Sequence, residues 1–442
     1  MFLDLPKSAV HNLTKDNVAS LAASERLLLL AVISSVGLDT LANLANPNPY
    51  VAPLKGLILI IVICSFRSLY SYLMTFAFLG IFFLRELNIT FGQYDLFLVA
   101  DATFFLRILF FVAWLLLFYE RRESAAFLRY VLYISIATTI LCVLCQFAGM
   151  IFHIGFFAAY EGRGRSGYKG LFFAENDTGV FYLASLIYSM ALWRREGRWL
   201  YSGVVLVGLI LLGLGSKTAL FGTFLVPVVY FGCVHHFRSP LNLSKLEVRP
   251  RLATAWATGI VVTGVIGYFG VKYVTEILGS INYDQLIRVY QESGLLSSLL
   301  SFRDQKVLAY FQSIRTIPDL LFGLQLRFNP QGFLYDDPGY FMYEIDLFDY
   351  LARVGLIGSV LTLLLISRSA LARNWRSCSP EWRALIVTIA LLGCTVGHTL
   401  ISSINGMWIA FWIIALGKLP LGQNSRGPSL DTSPPILSKM LS

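Results

Sequence analysis

The sequence predicts an all-α polytopic membrane protein of about twelve transmembrane helices, with a large, partly helical external loop between the ninth and tenth. Two observations predict this class. First, 56% of the 442 residues are hydrophobic, only 14% are charged and the mean hydropathy is +0.67, whereas about one quarter of the residues of a soluble domain are charged. Second, runs such as 27–44 approach the roughly 20 apolar residues that cross a hydrocarbon core of about 30 Å.

The apolar runs place the helices in order along the chain. Their predicted bounds are about 26–44, 52–66, 69–84, 97–119, 127–152, 177–193, 199–214, 218–236, 254–271, 345–366, 383–402 and 404–418. The end of the chain is rich in proline, serine and glycine, a composition typical of disorder. The predicted organisation is a cytoplasmic N-terminal segment at 1–25, nine transmembrane helices within 26–271, the large loop at 272–344, three more helices within 345–418 and a disordered cytoplasmic tail at 419–442.

Basic residues indicate which side of the membrane each connection faces. They gather in alternate connections, for example at Arg121 and Arg122 and again at Arg194 and Arg195. Cytoplasmic connections carry such an excess of Lys and Arg, so both termini are predicted to be cytoplasmic. The net charge of +9 does not indicate a nucleic acid partner, because the basic residues are spread over short loops and form no basic domain.

The opposite face carries basic residues that this rule does not explain. They lie in the connections 153–176 and 272–344 and in the turn before 218, and they include Arg163, Arg165, Lys169, Lys217, Arg288, Arg303 and Arg327. Such side chains at a membrane surface suit a phosphate or pyrophosphate ligand, because guanidinium forks match phosphate oxygens and Lys supplies a point charge. Pairing with lipid headgroups or nearby acids is the alternative interpretation.

Lys217 is the sharpest single case among these cations. The stretch GLGSKTALFG is a tight turn between two long apolar runs, so no solvated loop holds the charge. Its position at a helix end would also allow the ammonium group to snorkel to the surface. In 153–176 the cations alternate with tyrosine and phenylalanine, a pattern that suits a sugar joined to a phosphate and equally an interfacial aromatic belt.

Acidic residues stand at the start of the predicted helix 345–366. Glu344 and Asp346 flank its first residue, and Asp349 lies about one turn further in. Acids at a helix start often only complement the helix dipole, which is the interpretation favoured for Asp346 and Asp349. Glu344, at the lip of a membrane-embedded site, is the better candidate for a general base.

Several stretches of the chain resemble motifs of the O-antigen ligase and Wzy-type polysaccharide polymerase superfamily. They are GLFFAEN at 170–176, SKTA at 216–219, LLFGLQ at 320–325 with Arg303 upstream, and Glu344 to Gly358, which matches His or Glu, ten residues and Gly-Leu-x-Gly. Lys217 stands where the family usually has Arg, and Gln325 replaces a second Gly. The resemblance covers roughly residues 150–365, and the part before it agrees only in hydropathy.

The resemblance implies a GT-C-like, metal-independent glycosyltransferase of the bacterial inner membrane, with its active site facing the periplasm and no cofactor. The expected catalytic residues are Glu344 and Arg303. The expected pyrophosphate ligands are Arg163, Arg165, Lys217 and Arg303, and the secondary candidates are Lys169, Arg288, Arg327, Asp346 and Tyr343. The expected partners are an undecaprenyl-pyrophosphate-linked oligosaccharide, membrane lipid and a chain-length regulator.

Glu344 favours one branch of this superfamily. Ligases that attach O-antigen to lipid A core resemble one another in placing His at this position, whereas polymerases of capsules and exopolysaccharides often carry an acid. The sequence therefore predicts a repeat-unit polymerase for O-antigen, capsule or exopolysaccharide, with an O-antigen ligase as the nearest alternative. A lipid-linked oligosaccharide transporter is the second alternative, but it should show related halves and mid-bilayer ionisable residues, for which the sequence offers the pair Asp101 and Arg107.

Overall fold

The computed structural model describes a large part of the chain. The described residues are 21–44, 51–90, 98–158, 167–172, 174–197, 199–213, 217–235, 291, 307, 310–312, 314, 316–324, 346–369, 378–395 and 402–417. Within them the regular secondary structure is helical, apart from one isolated antiparallel bridge between Ala158 and Tyr168.

The α-helices of the described residues are numbered here in chain order. They are α1 Ala23–Leu44, α2 Val51–Cys64, α3 Leu69–Thr90, α4 Leu98–Glu120, α5 Ala125–Phe152, α6 Glu175–Glu196, α7 Leu200–Gly213, α8 Lys217–His235, α9 Ile317–Phe322, α10 Asp346–Ser369, α11 Pro380–Thr395 and α12 Ser403–Gly417. A short 3₁₀ helix at Gly155–Phe157 follows α5.

Each predicted helix but one corresponds to a helix of the described residues, with its ends shifted by a few positions. The exception, 254–271, lies outside the described residues, as do 1–20, most of the loop 272–344 and the tail 419–442. Four described segments are long and apolar enough to cross a membrane: Ala23–Leu44, Leu69–Glu86, Ala125–Phe152 and Leu347–Ser369. The helical, membrane-embedded class is therefore confirmed, whereas the number of twelve spans stays a prediction.

The chain divides into two compact units, one formed by 1–138 with 306–442 and the other by 139–305. The centre of the first unit is the parallel pair α4 and α12. Every residue of 108–118 in α4 and of 404–414 in α12 is buried, as expected of helix segments that are apolar on every side. A Cβ on Gly406 would lie 3.0 Å from the Cβ of Phe111, and the rings of Phe118 and Phe411 are 5.7 Å apart.

The helices around this centre expose apolar side chains. Leu30 of α1, Ile60 of α2, Phe76 of α3 and Leu363 of α10 are all exposed. An outward apolar surface of this extent is unfavourable in water and favourable against lipid chains. The outward faces of these helices are therefore suited to hydrocarbon.

Polar contacts between helix ends give the helix directions in the first unit. Where α10 begins, Arg85 of α3 contacts the backbone of Arg353. Where α10 ends, Arg368 lies over the ring of Tyr70, in the first turn of α3. The helix α3 therefore runs opposite to α10. Arg353 lies over Phe104 and Arg368 over Tyr119, so α4 and α10 run the same way. These two places are called the α10-start end and the α10-terminal end below.

Candidate functional site

Two arginines lie over the ring of Phe104 near the α10-start end, and a third contacts the backbone of one of them. The guanidinium carbon of Arg107 lies 4.8 Å from the centre of this ring, and that of Arg353 lies 5.2 Å from it. Nη1 of Arg85 donates a 2.7 Å hydrogen bond to the backbone oxygen of Arg353. These four residues are called the Phe104 cluster, and they come from α3, α4 and α10.

The Phe104 cluster carries buried positive charge. Arg85 and Arg353 each expose only 2% of their surface. Glu86 pairs with Arg85 at 2.9 Å, and Asp349, which is 1% exposed, lies one helical turn before Arg353 and so on the same side of α10. Three guanidinium groups thus come together in this part of the described residues, and guanidinium keeps its proton in proteins. Such groups suit an anionic ligand.

A second group of arginines and aromatic rings lies at the α10-terminal end. The guanidinium carbons of Arg122 and Arg368 lie 4.1 and 5.7 Å from the centre of the Tyr119 ring. That of Arg368 also lies 4.2 Å from the centre of the Tyr70 ring. These four residues are called the Tyr119 cluster. Arg368 is exposed and Arg122 is partly exposed, in contrast to the buried arginines of the Phe104 cluster.

The spacing of the two clusters constrains their depth in a membrane. Phe104 and Tyr119 are 15 residues apart, as are Arg353 and Arg368. This spacing corresponds to about 22 Å along a helix axis, less than the roughly 30 Å of a hydrocarbon core. The two clusters therefore cannot lie one at each surface of the hydrocarbon core. The exposed Tyr119 cluster suits the headgroups, which leaves the Phe104 cluster roughly 8 Å inside the opposite boundary.

A close backbone contact between α9 and α10 lies next to Arg353. Gly323, directly after α9, has a φ of +101°, and Gly355 interrupts α10 with a φ of +61°. A Cβ on Gly323 would lie 2.7 Å from the backbone oxygen of Ala352. The Leu324 amide donates a 2.7 Å hydrogen bond to that same oxygen. Both the positive φ angles and the close approach require glycine at these positions.

This contact joins two of the stretches that carry the family resemblance. Gly323 belongs to LLFGLQ, and Gly355 is the first glycine of Gly-Leu-Ile-Gly at 355–358. A Cβ on Gly355 would overlap the backbone oxygen of Leu321. Gly323 and Gly355 are 32 residues apart in the chain. The same close backbone contact requires glycine at both positions.

In the second unit, the backbone around Lys169 packs among α5, α6 and α7. The Lys169 amide donates to the Phe157 oxygen at 2.8 Å, and its own oxygen accepts a 2.7 Å hydrogen bond from Oγ1 of Thr178. The next residue, Gly170, has a φ of +74°, and a Cβ there would lie 2.7 Å from the Cys142 oxygen. The first glycine of GLFFAEN is therefore needed for a close backbone approach.

A buried glutamine holds this segment in place. Nε2 of Gln146 donates to the Tyr168 oxygen at 2.6 Å and to the Gly208 oxygen at 3.2 Å. Its Oε1 accepts a 2.9 Å hydrogen bond from the Tyr182 hydroxyl. This side chain satisfies several buried polar groups at once, which is what a polar residue inside an apolar bundle must do.

Most of the predicted site residues lie outside the described residues: Arg163, Arg165, Arg288, Arg303, Arg327, Tyr343 and Glu344. Lys217 is the first residue of α8 and Asp346 the first of α10, and the structure describes their backbones alone. Lys169 is half-buried in the second unit. The predicted meeting of the outer cations beside Glu344 thus stays a prediction.

Sequence reasoning missed Arg85 and Arg353, and it considered Arg107 only for the transporter alternative. A signal was present in the sequence, since these arginines stand in FFLREL, LARVGL and FFLRIL, within apolar helices. An ionisable residue in such a run indicates a functional site. Among the described residues, no group of three or more His, Cys, Asp or Glu lies together as metal ligands would.

No family model matches the chain, and no curated protein or solved structure matches it significantly.

Proposed function

We propose that the protein is a polysaccharide repeat-unit polymerase of the bacterial inner membrane. It transfers a growing glycan from undecaprenyl pyrophosphate to the non-reducing-end hydroxyl of a lipid-linked repeat unit. The α10-start end faces the periplasm in this proposal, in agreement with the distribution of basic connections in the sequence.

The observation that carries the proposal is the Phe104 cluster. Its buried guanidinium groups offer paired N–H donors, which suit the oxygens of a pyrophosphate. Ionisable groups at this depth face a bundle interior or a water-filled recess and commonly mark a substrate path. A donor with a long apolar tail and an anionic pyrophosphate needs both an apolar surface and buried cations, and the first unit has both.

The position of Glu344 in the chain supports the same site. It precedes the first residue of α10 by two positions and Arg353 by nine. A base placed at the start of the helix that carries Arg353 would act beside the bond from the sugar to the pyrophosphate. This argument rests on sequence distance, since Glu344 lies outside the described residues.

In the proposed reaction the acceptor hydroxyl oxygen forms a bond to the anomeric carbon of the donor glycan. The bond from that carbon to the pyrophosphate oxygen breaks, and undecaprenyl pyrophosphate leaves with the electron pair. Glu344 takes the hydroxyl proton, a role that typically contributes about 10²- to 10⁴-fold. The arginines stabilise the charge that grows on the leaving pyrophosphate. This leaving group needs no general acid. The arginines supply the positive charge that a metal ion would otherwise supply, so we expect activity to survive EDTA.

The test is elongation by the purified full-length protein in liposomes that hold lipid-linked repeat units and no ion gradient. We expect a ladder of polymer lengths from the wild type and none from Glu344→Gln. The matched control is Arg26→Gln, a change at an exposed residue next to Glu25, whose charge acts on Arg121, and this variant should keep the ladder. Full-length polymer from Glu344→Gln would refute the assignment of the base.

The same experiment separates the alternatives. Transfer of glycan to lipid A core without elongation of repeat units would identify an O-antigen ligase. Movement of the lipid-linked oligosaccharide across the bilayer without a new glycosidic bond would identify a transporter. Loss of elongation in EDTA with recovery in Mg²⁺ would contradict the metal-independent mechanism.

A further inference from the structure

The Tyr119 cluster holds two positive charges against one ring. Arg122 and Arg368 both lie within cation–π distance of Tyr119. Nε of Arg368 also donates a 3.5 Å hydrogen bond to the Tyr119 hydroxyl. Glu123 pairs with Arg122 at 3.4 Å but is largely exposed, so this pair contributes little. Two guanidinium groups that share a ring repel each other, and an anion between them removes the repulsion.

Arg121, next to Arg122 in the chain, adds a further positive charge. Arg121 is only 2% exposed, and its Nη2 donates to the Ser65 oxygen at 3.0 Å. Its Nε and Nη1 have no hydrogen-bond partner within the described part of the chain. Burial, and next the charge of the nearby Arg67, lower the pKa of Arg121, whereas the charges of Glu25 and Glu120 raise it. The adjacent Glu120 accepts from the amides of Arg67 and Ser68 at 2.7 and 3.1 Å.

An exposed apolar surface leads away from the same cluster. On α3, Leu69, Leu73 and Phe76 are exposed and share one helix face. On α10, Leu363 and Leu364 are exposed about one turn before Arg368. Since Arg368 lies over Tyr70, the contact between the two helices brings the cations to one end of these apolar faces.

We propose that the Tyr119 cluster and Arg121 form a binding site for an anionic phospholipid of the adjoining leaflet. The phosphate lies between the guanidinium groups of Arg122 and Arg368 and draws on the charge of Arg121. The acyl chains lie on the exposed apolar faces of α3 and α10. A soluble anion would use the charges but not the apolar faces, which is why a phospholipid is the occupant.

The test is native mass spectrometry of the delipidated full-length protein, titrated with phosphatidylglycerol or phosphatidylcholine of the same acyl chains. We expect the wild type to prefer phosphatidylglycerol. In the double variant Arg122→Gln with Arg368→Gln the preference should fall by about 30-fold, because each cation near an anionic headgroup contributes about fivefold. Both residues are partly or fully exposed, so the variant should fold.

The matched control is Arg26→Gln, which removes an exposed charge next to Glu25, a residue whose charge acts on Arg121. It should lower the preference by less than about twofold. Equal affinity of the wild type for the two lipids, or an unchanged preference in the double variant, would overturn the proposal. If Arg26→Gln lost the preference for phosphatidylglycerol to the same degree, the preference would come from unspecific surface charge. If inorganic phosphate raised the melting temperature as much as phosphatidylglycerol does, the site would be one for soluble anions.

Discussion

The Phe104 and Tyr119 clusters are built alike on the same pair of helices, yet they differ in burial. In each, two guanidinium groups lie against one ring, and one of the two comes from α10. Arg353 is buried, whereas Arg368, 15 residues later, is exposed. An arginine on an aromatic ring is therefore not in itself a sign of catalysis. Depth distinguishes a substrate site from a contact with headgroups.

The energetic consequence of this difference follows from desolvation. A charge at the headgroups keeps its water, while a buried charge loses it and is stabilised only in part by its neighbours. Arg85 and Arg353 are thus costly to the fold, and the cost is understandable if a ligand uses them. The comparison predicts a large effect of the same substitution in the Phe104 cluster and a small one in the Tyr119 cluster.

The largest effect is expected from Arg353→Met set against Arg368→Met. Asp349 is buried one helical turn before Arg353, and removing one buried charge while its neighbour stays is destabilising, so Arg353→Met should lower the melting temperature more than Arg368→Met does. Its elongation rate should fall by about 10²- to 10³-fold, the usual loss of one preorganised electrostatic group. Elongation and thermal unfolding of both variants are the measurements.

Arg368→Met removes the same charge from the same helix, and its elongation rate should fall by less than about threefold, through the lost lipid contact. The comparison of the two clusters would be wrong if both variants lost elongation to the same degree. It would also be wrong if Arg353→Met lost activity only because it unfolded.

The second effect concerns the backbone that presents Arg353. Gly355→Ala should lower the free energy of unfolding by about 3 kcal/mol, because it combines an unfavourable positive φ with an overlap against Leu321. Gly80→Ala is the control, since a Cβ at Gly80 would meet nothing within 4 Å. The control should be neutral or stabilising by up to about 1 kcal/mol. Equal stability of the two variants in denaturant titrations would contradict the close contact.

A third, smaller effect concerns the Phe104 ring, over which Arg107 and Arg353 lie. Phe104→Leu should weaken the binding of undecaprenyl pyrophosphate about fivefold, because a cation–π contact contributes about 1 kcal/mol. Phe110→Leu makes the same change on the same helix, at a ring that contacts Trp114 at 6.1 Å. If the two variants bind the ligand equally well, the ring has no role in holding the arginines.

The smallest effect is a difference in salt dependence. The Debye length falls from about 10 Å at 0.1 M salt to about 3 Å at 1 M, and exposed charges are screened more than buried ones. The preference of the Tyr119 cluster for phosphatidylglycerol should therefore fall severalfold over this range. Binding of undecaprenyl pyrophosphate to the Phe104 cluster should change less. If salt weakened the lipid preference and the binding of undecaprenyl pyrophosphate to the same degree, the Phe104 cluster would be as solvated as the Tyr119 cluster.

The helices were largely predictable from the sequence, because a long apolar run in lipid must satisfy its own backbone hydrogen bonds and does so as a helix. Thus α4 and α10 begin within one residue of their predicted starts. The break at Gly355 was not predictable, since it depends on contact with Leu321, which is distant in the chain. Glycine at 355 was noticed only for its resemblance to a motif.

The site was less predictable than the fold, for a physical reason. Sequence reasoning looked for cations in the connections, where they stand out, and it reached Lys169 and Lys217 in this way. It gave no weight to Arg85 and Arg353, because one cation in a long apolar run hardly changes the average hydropathy. Only the packing of α3 against α10 shows that these two arginines belong together.

The most direct test of the central claim is the binding of undecaprenyl pyrophosphate to the purified protein, followed by native mass spectrometry. Wild type, Arg353→Met and Arg368→Met are titrated with this ligand in the same lipid. We expect Arg353→Met to bind about 10- to 100-fold more weakly than the wild type, because it loses charge-assisted hydrogen bonds, and Arg368→Met to bind within about threefold of it. Wild-type affinity in Arg353→Met would contradict the claim that the Phe104 cluster holds the pyrophosphate.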